Sequence, residues 1–391
     1  MLKQVLAITQ LGLRSIPERL GPSLVIVIGL AGVVAVFTAL LAMAAGFEST
    51  LEAAGRADVA LVLRGGSQAE LNSGLSREQA TIIKQAPGVA AGADGAPAAS
   101  GELIVIAELM KAGETTGSNI TVRGVEPAAF GLRPQLKIVE GRRFRPGLKE
   151  LIVGRGVTQQ FQGAGIGDRL RMRGSEWDVV GIFESRDANE SELWADVEVA
   201  QSAFNRQGFS SVRLQLADAK GLATVKDALT ADPRVNVDVE TEQSYLSGQT
   251  KQFRQTIGAL ALVVTVIMGL GATFAALNTM YAAVGTRSRE IATLRAIGFG
   301  GFPVVVSIML EALVLAIAGG LLGAVIAFVL FNNVAVSTLG SNFTQVVFRF
   351  AVTPELVQQG LLIAVVIGMA GGFLPALRAA RQPVTTALRA A

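Results

Sequence analysis

The 391 residues of this chain include no cysteine and no histidine. That excludes a disulfide framework, a thiol nucleophile, a histidine general base and the usual sulfur and nitrogen ligands of zinc, so the common hydrolase triads are ruled out. Charge is scarce too, at 17% of residues, where soluble domains carry about a quarter. A chain without cysteine suits a reducing or an oxidising compartment equally, so location has to come from topology. What is abundant is apolar: 51% hydrophobic residues and a mean hydropathy of +0.48 indicate a membrane protein. The excess is uneven, because residues 47–256 hold most of the charges and read like a soluble domain while the flanks run nearly charge-free. The net charge is +3, but the basic residues gather at the ends of apolar runs, where anchoring and orientation account for them, so no nucleic acid is expected as a partner.

Leu24–Ala45 carries no charge, and its length of about 33 Å as a helix is enough to cross a hydrocarbon core of about 30 Å. Ala42, Met43 and Ala44 also fit a signal-peptidase site, but the run is longer than a signal core and follows an amphipathic pattern of Leu2, Val5, Leu6, Thr9 and Leu13. The sequence therefore predicts an N-terminal cytoplasmic amphipathic helix over 1–22 and an uncleaved first span over 23–46. Further spans are predicted at 257–284, 303–331 and 356–377, joined by a cytoplasmic segment at 285–302 and a short extracytoplasmic loop at 332–355, with a tail at 378–391. Lys3, Arg14 and Arg19, then Arg287, Arg289 and Arg295, then Arg378, Arg381 and Arg389 fall on one side, against Arg349 alone in the other short loop. Positive charge marks the cytoplasmic side. Both termini are thus expected there, with the spans in contact with membrane lipids and 47–256 extracytoplasmic.

Within 47–256 the periodicity alternates between short β-rich runs and short helices, which predicts an α+β fold inserted between the first and second of four transmembrane helices. Strands are expected at 58–64, 102–108, 120–125, 151–153, 169–173, 177–183, 211–216 and 235–239. Helices are expected at 76–85, opened by the capping pair Ser76 and Gln79, and at 154–161, 197–205, 219–230 and 241–254. The last leads toward the second span and could carry movement between domain and membrane. The strand-rich middle, 118–208, reads as an inner subdomain inserted into the flanking pieces.

Catalytic signals are weak. Asp187, Glu190 and Glu192 near Arg186 read as a solvated charge run. The glycines of Gly163–Asp168 follow a helix and precede a strand, the reverse of a dinucleotide fingerprint, and read as a turn. There is no Gly-Lys dipeptide and hence no Walker A loop. Catalytic, cofactor and metal residues are therefore all expected to be none. Glu311 is the one ionisable residue placed at membrane depth, a candidate membrane-embedded functional group; the alternative is that it pairs with a basic residue of the cytoplasmic loop or snorkels to the interface. Glycines at 29, 32, 269, 271, 319, 320, 323, 368, 371 and 372 would let spans approach closely.

The informative stretch is Thr286–Gly300. Ile291, Leu294 and Ile297 give a short helix one apolar face, Arg287, Arg289, Glu290 and Arg295 surround it with charge, and Gly298 or Gly300 ends it. Such a helix can lie on a membrane or dock into a partner's groove, and the spacing allows both.

At these residues the sequence resembles the FtsX/MacB family of ABC-transporter permeases. The pattern stands here as Asn278, Val284, Arg287, Arg289-Glu290-Ile291 and Leu294-Arg295-Ala296-Ile297-Gly298, followed by Glu311, Gly319-Gly320, Gly323, Pro375-Ala376, Pro383 and Ala387-Leu388-Arg389. The domain is similar to the MacB-type periplasmic core through Val122–Pro127, Gly141–Phe144, Gly167-Asp168 and Val179–Phe183. The resemblance implies a non-catalytic permease subunit paired with a second permease chain as a homodimer or close heterodimer. Two copies of a cytoplasmic ATP-binding subunit, which would hold the ATP and magnesium, would engage Arg287, Arg289, Glu290, Ile291, Leu294, Arg295, Ile297 and Gly298. It further implies export or mechanotransmission, with an extracytoplasmic adaptor protein as an additional partner. The alternative is a membrane-anchored regulator of an extracytoplasmic enzyme such as a cell-wall hydrolase.

Overall fold

The structure is a computed structural model and describes residues 5, 8–10, 20–92, 95–113, 117–339 and 345–383. Most of the predicted N-terminal amphipathic helix, including Leu2, Leu6 and Leu13, and the end of the tail lie outside the described residues. The chain divides into two compact units, one made of Met1–Gly46, Phe253–Val334 and Phe350–Ala391 and the other of Phe47–Gln252 with Ala335–Arg349.

Among the described residues, four helices are long and apolar enough to cross a membrane: α1 (Leu20–Glu52), α7 (Glu242–Thr286), α9 (Gly301–Phe331) and α10 (Pro354–Arg381). Their close packing is set by small residues. A Cβ built on Gly323 would lie 2.5 Å from the Ala31 carbonyl oxygen and one on Gly319 2.9 Å from that of Val27, so α9 meets α1 with backbones nearly touching. A Cβ on Gly368 or Gly372 would come within 2.6 Å of Ala316 or Ala312, which brings α10 equally close to α9. Lipid supplies no hydrophobic drive between helices, so such close contact is what holds a bundle together. Gly29, Gly32 and Gly271 have open space around their Cβ positions and do not serve this purpose. On α7, Leu262, Val263, Ile267 and Phe274 are all more than half exposed, as suits lipid contact.

The second unit holds a ten-stranded mixed sheet ordered β10-β1-β9-β2-β3-β8-β5-β7-β4, with β6 on β7. Its strands are β1 (Val59–Arg64), β2 (Ala99–Met110), β3 (Gly117–Val125), β4 (Lys137–Gly141), β5 (Glu150–Gly154), β6 (Arg169–Met172), β7 (Ser175–Glu184), β8 (Glu192–Asp196), β9 (Ser211–Gln215) and β10 (Val237–Thr241). Helices α2 (Arg77–Lys84), α3 (Ala129–Leu132), α4 (Arg155–Thr158), α5 (Val197–Ala203) and α6 (Gly221–Ala231) lie between them. Ser76 and Gln79 close the capping box at α2. Alternation along the strands sorts side chains to two faces. Ala60 and Val62, Leu103 and Val105, Ile120 and Val122, and Val212 and Leu214 enter one large apolar core. Their neighbours Glu102, Arg123, Glu192 and Arg213 point to the other face.

One sheet runs through the expected inner and outer pieces, with the strands of about 118–208 forming its contiguous half β3-β8-β5-β7-β4 and β6, and the flanking strands its half β10-β1-β9-β2. The helix expected over 241–254 does run on into the second span as a continuous stalk, the two forming one 45-residue helix. Other expectations are corrected. The helix predicted over 154–161 is a single turn, α4. The charge run near Arg186 is no solvated surface: Asp187 is 3% exposed, Glu190 accepts the Ser185 and Arg186 N–H groups at 2.9 and 2.6 Å, and Glu192 begins β8. Asp187 receives hydrogen bonds from Asn189 and Gln135, yet burial pushes its carboxyl up. The loop expected at 332–355 contains a hairpin, β11 (Ala335–Leu339) and β12 (Gln345–Arg349), whose Phe348 meets Phe47 edge-on at 5.5 Å and whose Val347 N–H donates to Ser191 Oγ at 2.8 Å.

Candidate functional site: the segment between the second and third spans

Helix α8 (Ser288–Ala296) follows α7 after a break at Arg287. It ends in two bonds, Phe299 N–H to Leu294 carbonyl and Gly298 N–H to Arg295 carbonyl, both 3.1 Å. Gly298 has φ of +101°. This pair of bonds around a left-handed residue is a Schellman cap, which a glycine enters without a Cβ clash. The cap turns the chain sharply, so α9 can start at Gly301.

The predicted apolar face is divided. Ile291 and Ala292 are buried with Val284, Val304 and Ile308 of the bundle core, and Leu294 and Phe299 pack against the same cluster. Ile297, expected on that face, is 68% exposed, as is Phe302 at 63%. Arg289, Glu290, Thr293 and Ala296 are exposed as well. The segment therefore has an inner apolar side that fixes it to the spans and an outer side of Arg289, Glu290, Ile297 and Phe302. Of the residues singled out by sequence, Ile291 and Leu294 belong to the anchoring side, and Phe302 is an outer residue that the motif did not reveal.

Polar contacts fix the anchoring. Arg287 donates from Nη1 to Glu311 Oε2 at 3.2 Å and from Nε to Glu290 Oε2 at 3.4 Å. Glu311, 7% exposed on α9, thus has a basic partner from the segment itself. Arg295 donates to the Gln382 carbonyl at 2.5 Å, and the Arg378 guanidinium stacks 5.5 Å from the Tyr281 ring centre, so the end of α10 braces both α7 and α8. Pairs of this kind are specific in direction, and a charge at this depth is seldom left alone.

The inserted unit carries a second concentration of charge, which sequence reasoning missed. Arg123 pairs through Nη1 with Glu102 at 2.8 Å and through Nε with Glu192 at 2.6 Å. Arg133 grips Glu102 with both terminal nitrogens at 2.8 and 2.9 Å. Arg213 contacts Glu102, Glu70 at 2.9 Å and Glu242 at 2.9 Å. All these side chains are at most 12% exposed. Burial pushes the Glu102 carboxyl up, but the guanidiniums of Arg133, Arg213 and Arg123 outweigh it and hold the group at about 2. Burial likewise opposes Glu70, and Arg213 and Arg123 bring it well below the usual carboxylate range. The available signal was charge inside apolar strand runs, at Glu102 before Leu103-Ile104-Val105, at Arg123 after Val122 and at Arg213 before Leu214. Among the described residues no group of His, Cys, Asp and Glu could hold a metal ion.

Four membrane-spanning helices, an α/β domain inserted after the first, and a capped amphipathic helix between the second and third define a class of multi-pass membrane protein. Sequence profiles place it further. The MacB-like periplasmic core domain matches residues 23–232 and the FtsX-like permease C-terminal domain matches 262–384. The chain belongs to the MacB/FtsX-like family of ABC transporter permeases. It is 23% identical over 290 residues to the "Uncharacterized ABC transporter permease YknZ" of Bacillus subtilis, covering 70% of each chain. It is 24% identical over 303 residues to the "Macrolide export ATP-binding/permease protein MacB" of Bdellovibrio bacteriovorus, covering 69% of this chain and 44% of that one. The chain thus spans less than half of that MacB relative. Among solved structures, the extracellular domain of YknZ aligns with 47% of this chain and all of its own length, at 15% identity and a TM-score of 0.35.

Proposed function

We propose that this chain is the membrane subunit of an ABC transporter, driven by a separate ATP-binding subunit that docks on the outer side of α8. ATP-driven movement enters at Arg289, Glu290, Ile297 and Phe302, passes into α7 and α9, and moves the inserted domain outside the membrane. The observation that carries this reading is the two-sided segment: Ile291 and Leu294 secure it to the bundle while Ile297 and Phe302 remain uncovered next to charge. An exposed apolar pair beside charged residues, rigidly backed, is what a helix-in-groove contact requires. The Bdellovibrio relative is named for ATP binding as well as permease activity, which supports a reading in which ATP drives the movement. The Lys and Arg distribution supports a cytoplasmic position for α8 and both termini. Two such chains with two ATP-binding subunits would form the working unit.

The test is co-expression with the candidate ATP-binding subunit and purification in detergent, comparing the parent with Glu290→Ala plus Ile297→Asp. The parent should retain the subunit and set its ATPase rate, and the double variant should lose both. If the parent retains no ATP-binding subunit, or the double variant retains it as well as the parent does, the docking assignment is wrong.

A further inference from the structure

We propose that the buried charge cluster of the inserted domain is the joint that makes its sheet move with α7, and that Glu242 and Tyr245 are its positioning residues. This rests on the reading of α7 as the element that transmits movement. Glu242 is the first residue of α7 and is 4% exposed, and its Oε1 receives Arg213 Nε at 2.9 Å. Arg213 sits on β9 and is itself gripped by Glu70 and Glu102. One turn on, the Tyr245 hydroxyl accepts the Glu70 N–H at 3.1 Å while its ring rests on Leu61 and Leu63 of β1. The first turn of α7 is thus tied to the middle of the sheet through Arg213 and to β1 directly.

The same turn is tied to the chain just past the end of α1. Gln243 N–H donates to the Arg56 carbonyl at 3.3 Å, and a Cβ on Gly55 would lie 2.9 Å from Gln243 Cα, so only glycine allows this approach. Beneath the root of α7 is a cavity of about 80 Å³ lined by Arg123, Arg213, Glu192, Glu242 and Tyr245. Side-chain packing therefore does not fill this contact. Apolar contact is non-directional and would let a helix roll or slide, whereas charge-assisted hydrogen bonds fix its rotation and tilt. Four carboxylates against three guanidiniums, drawn from four strands, two turns and one helix root, give that directional hold.

The chain has no cysteine, so labels can be placed without background. Spin labels at Thr230→Cys on α6 and Ser244→Cys on α7, both exposed positions, report the domain–helix distance in the full chain in nanodiscs. The parent should give one narrow distribution. Glu242→Gln and Tyr245→Phe should broaden it, and hydrogen exchange across 242–252 should quicken about 100-fold in Glu242→Gln. Emission from Trp177 and Trp194 reports whether the domain stays folded, and if Glu242→Gln unfolds it, Tyr245→Phe decides. With the ATP-binding subunit bound, Glu242→Gln should keep the parent's ATPase rate while the ATP-dependent shift between labels at Thr230 and Val329 is lost. Distributions and exchange as narrow and slow as in the parent overturn the proposal. A parent that shows no ATP-dependent shift counts against the transporter reading instead, and the nucleotide-free rigidity measurement still decides the joint.

Discussion

Replacing Glu102 by Gln tests whether the buried charges hold the inserted domain together. Glu102 is fully buried and receives hydrogen bonds from Arg123, Arg133 and Arg213. Arg133, 2% exposed, has its two carboxylate contacts with this residue alone among the pairs described, its other close neighbour being the Trp194 ring at 4.9 Å. Glu102→Gln would leave that guanidinium buried without an anion. Removing one partner of a buried pair typically costs about 3–5 kcal/mol, mostly from the charge left behind. The lowering of the carboxyl from its ordinary 4.5 to about 2 is worth about 3 kcal/mol on its own. For a unit of this size each kcal/mol moves the midpoint by about 2–4 °C, so the domain should melt about 10 °C lower. Both tryptophans of the chain, Trp177 and Trp194, are fully buried in this unit, so tryptophan emission during heating follows it selectively. Arg133→Met added to Glu102→Met should recover part of the loss, since an apolar pair removes the stranded charge. A fall of less than about 2 °C in Glu102→Gln would refute the reasoning.

Acid should act through the same groups. Because the folded-state value of Glu102 lies below its ordinary 4.5, its contribution is present above pH 4.5 and is lost as pH falls through about 2. The parent's melting point should therefore drop steeply in that window, and Glu102→Gln should flatten the drop; an identical slope in both would contradict the assignment. Asp187 has the opposite sign, since burial raises it, so Asp187→Asn should cost least near neutral pH. In the membrane unit, Gly323→Leu should force α9 from α1, because even a Cβ would meet Ala31 and Val34 at 2.5 and 2.8 Å. The expected result is loss of monodisperse protein in detergent while Gly271→Leu, with open space around it, purifies normally.

How much was legible in the sequence follows from physics at each point. The spans were legible because charge-free runs of 20 residues have few other uses. Strands β1, β2, β3 and β9 were legible from dense β-branched and aliphatic runs, whereas β4 is a mostly exposed edge with only Ile138 and Val139 apolar, and β8 is a five-residue strand framed by Glu192 and Asp196. The hairpin at 335–349 was hidden by its position, since a loop between spans carries no periodic signal that it will join another unit. At α8 the motif gave the residues but not their directions. Spacing placed Ile291, Leu294 and Ile297 on one face, but the Schellman cap at Gly298 turns the chain just past Ile297, and Ile297 ends exposed while the other two are anchored. The charge cluster was least legible, because Glu70 and Glu242 are 172 positions apart and only the sheet order brings them to Arg213.

The central claim is that ATP hydrolysis by a partner moves the inserted domain relative to the membrane helices. The direct measurement is the distance between labels at Thr230→Cys and Val329→Cys in the otherwise cysteine-free chain, reconstituted with its ATP-binding subunit, without nucleotide and trapped with ATP and vanadate. The account predicts two distinct distance distributions, with the trapped one reverting when nucleotide is removed. The same distribution in both states, with the ATP-binding subunit bound and hydrolysing, would contradict it.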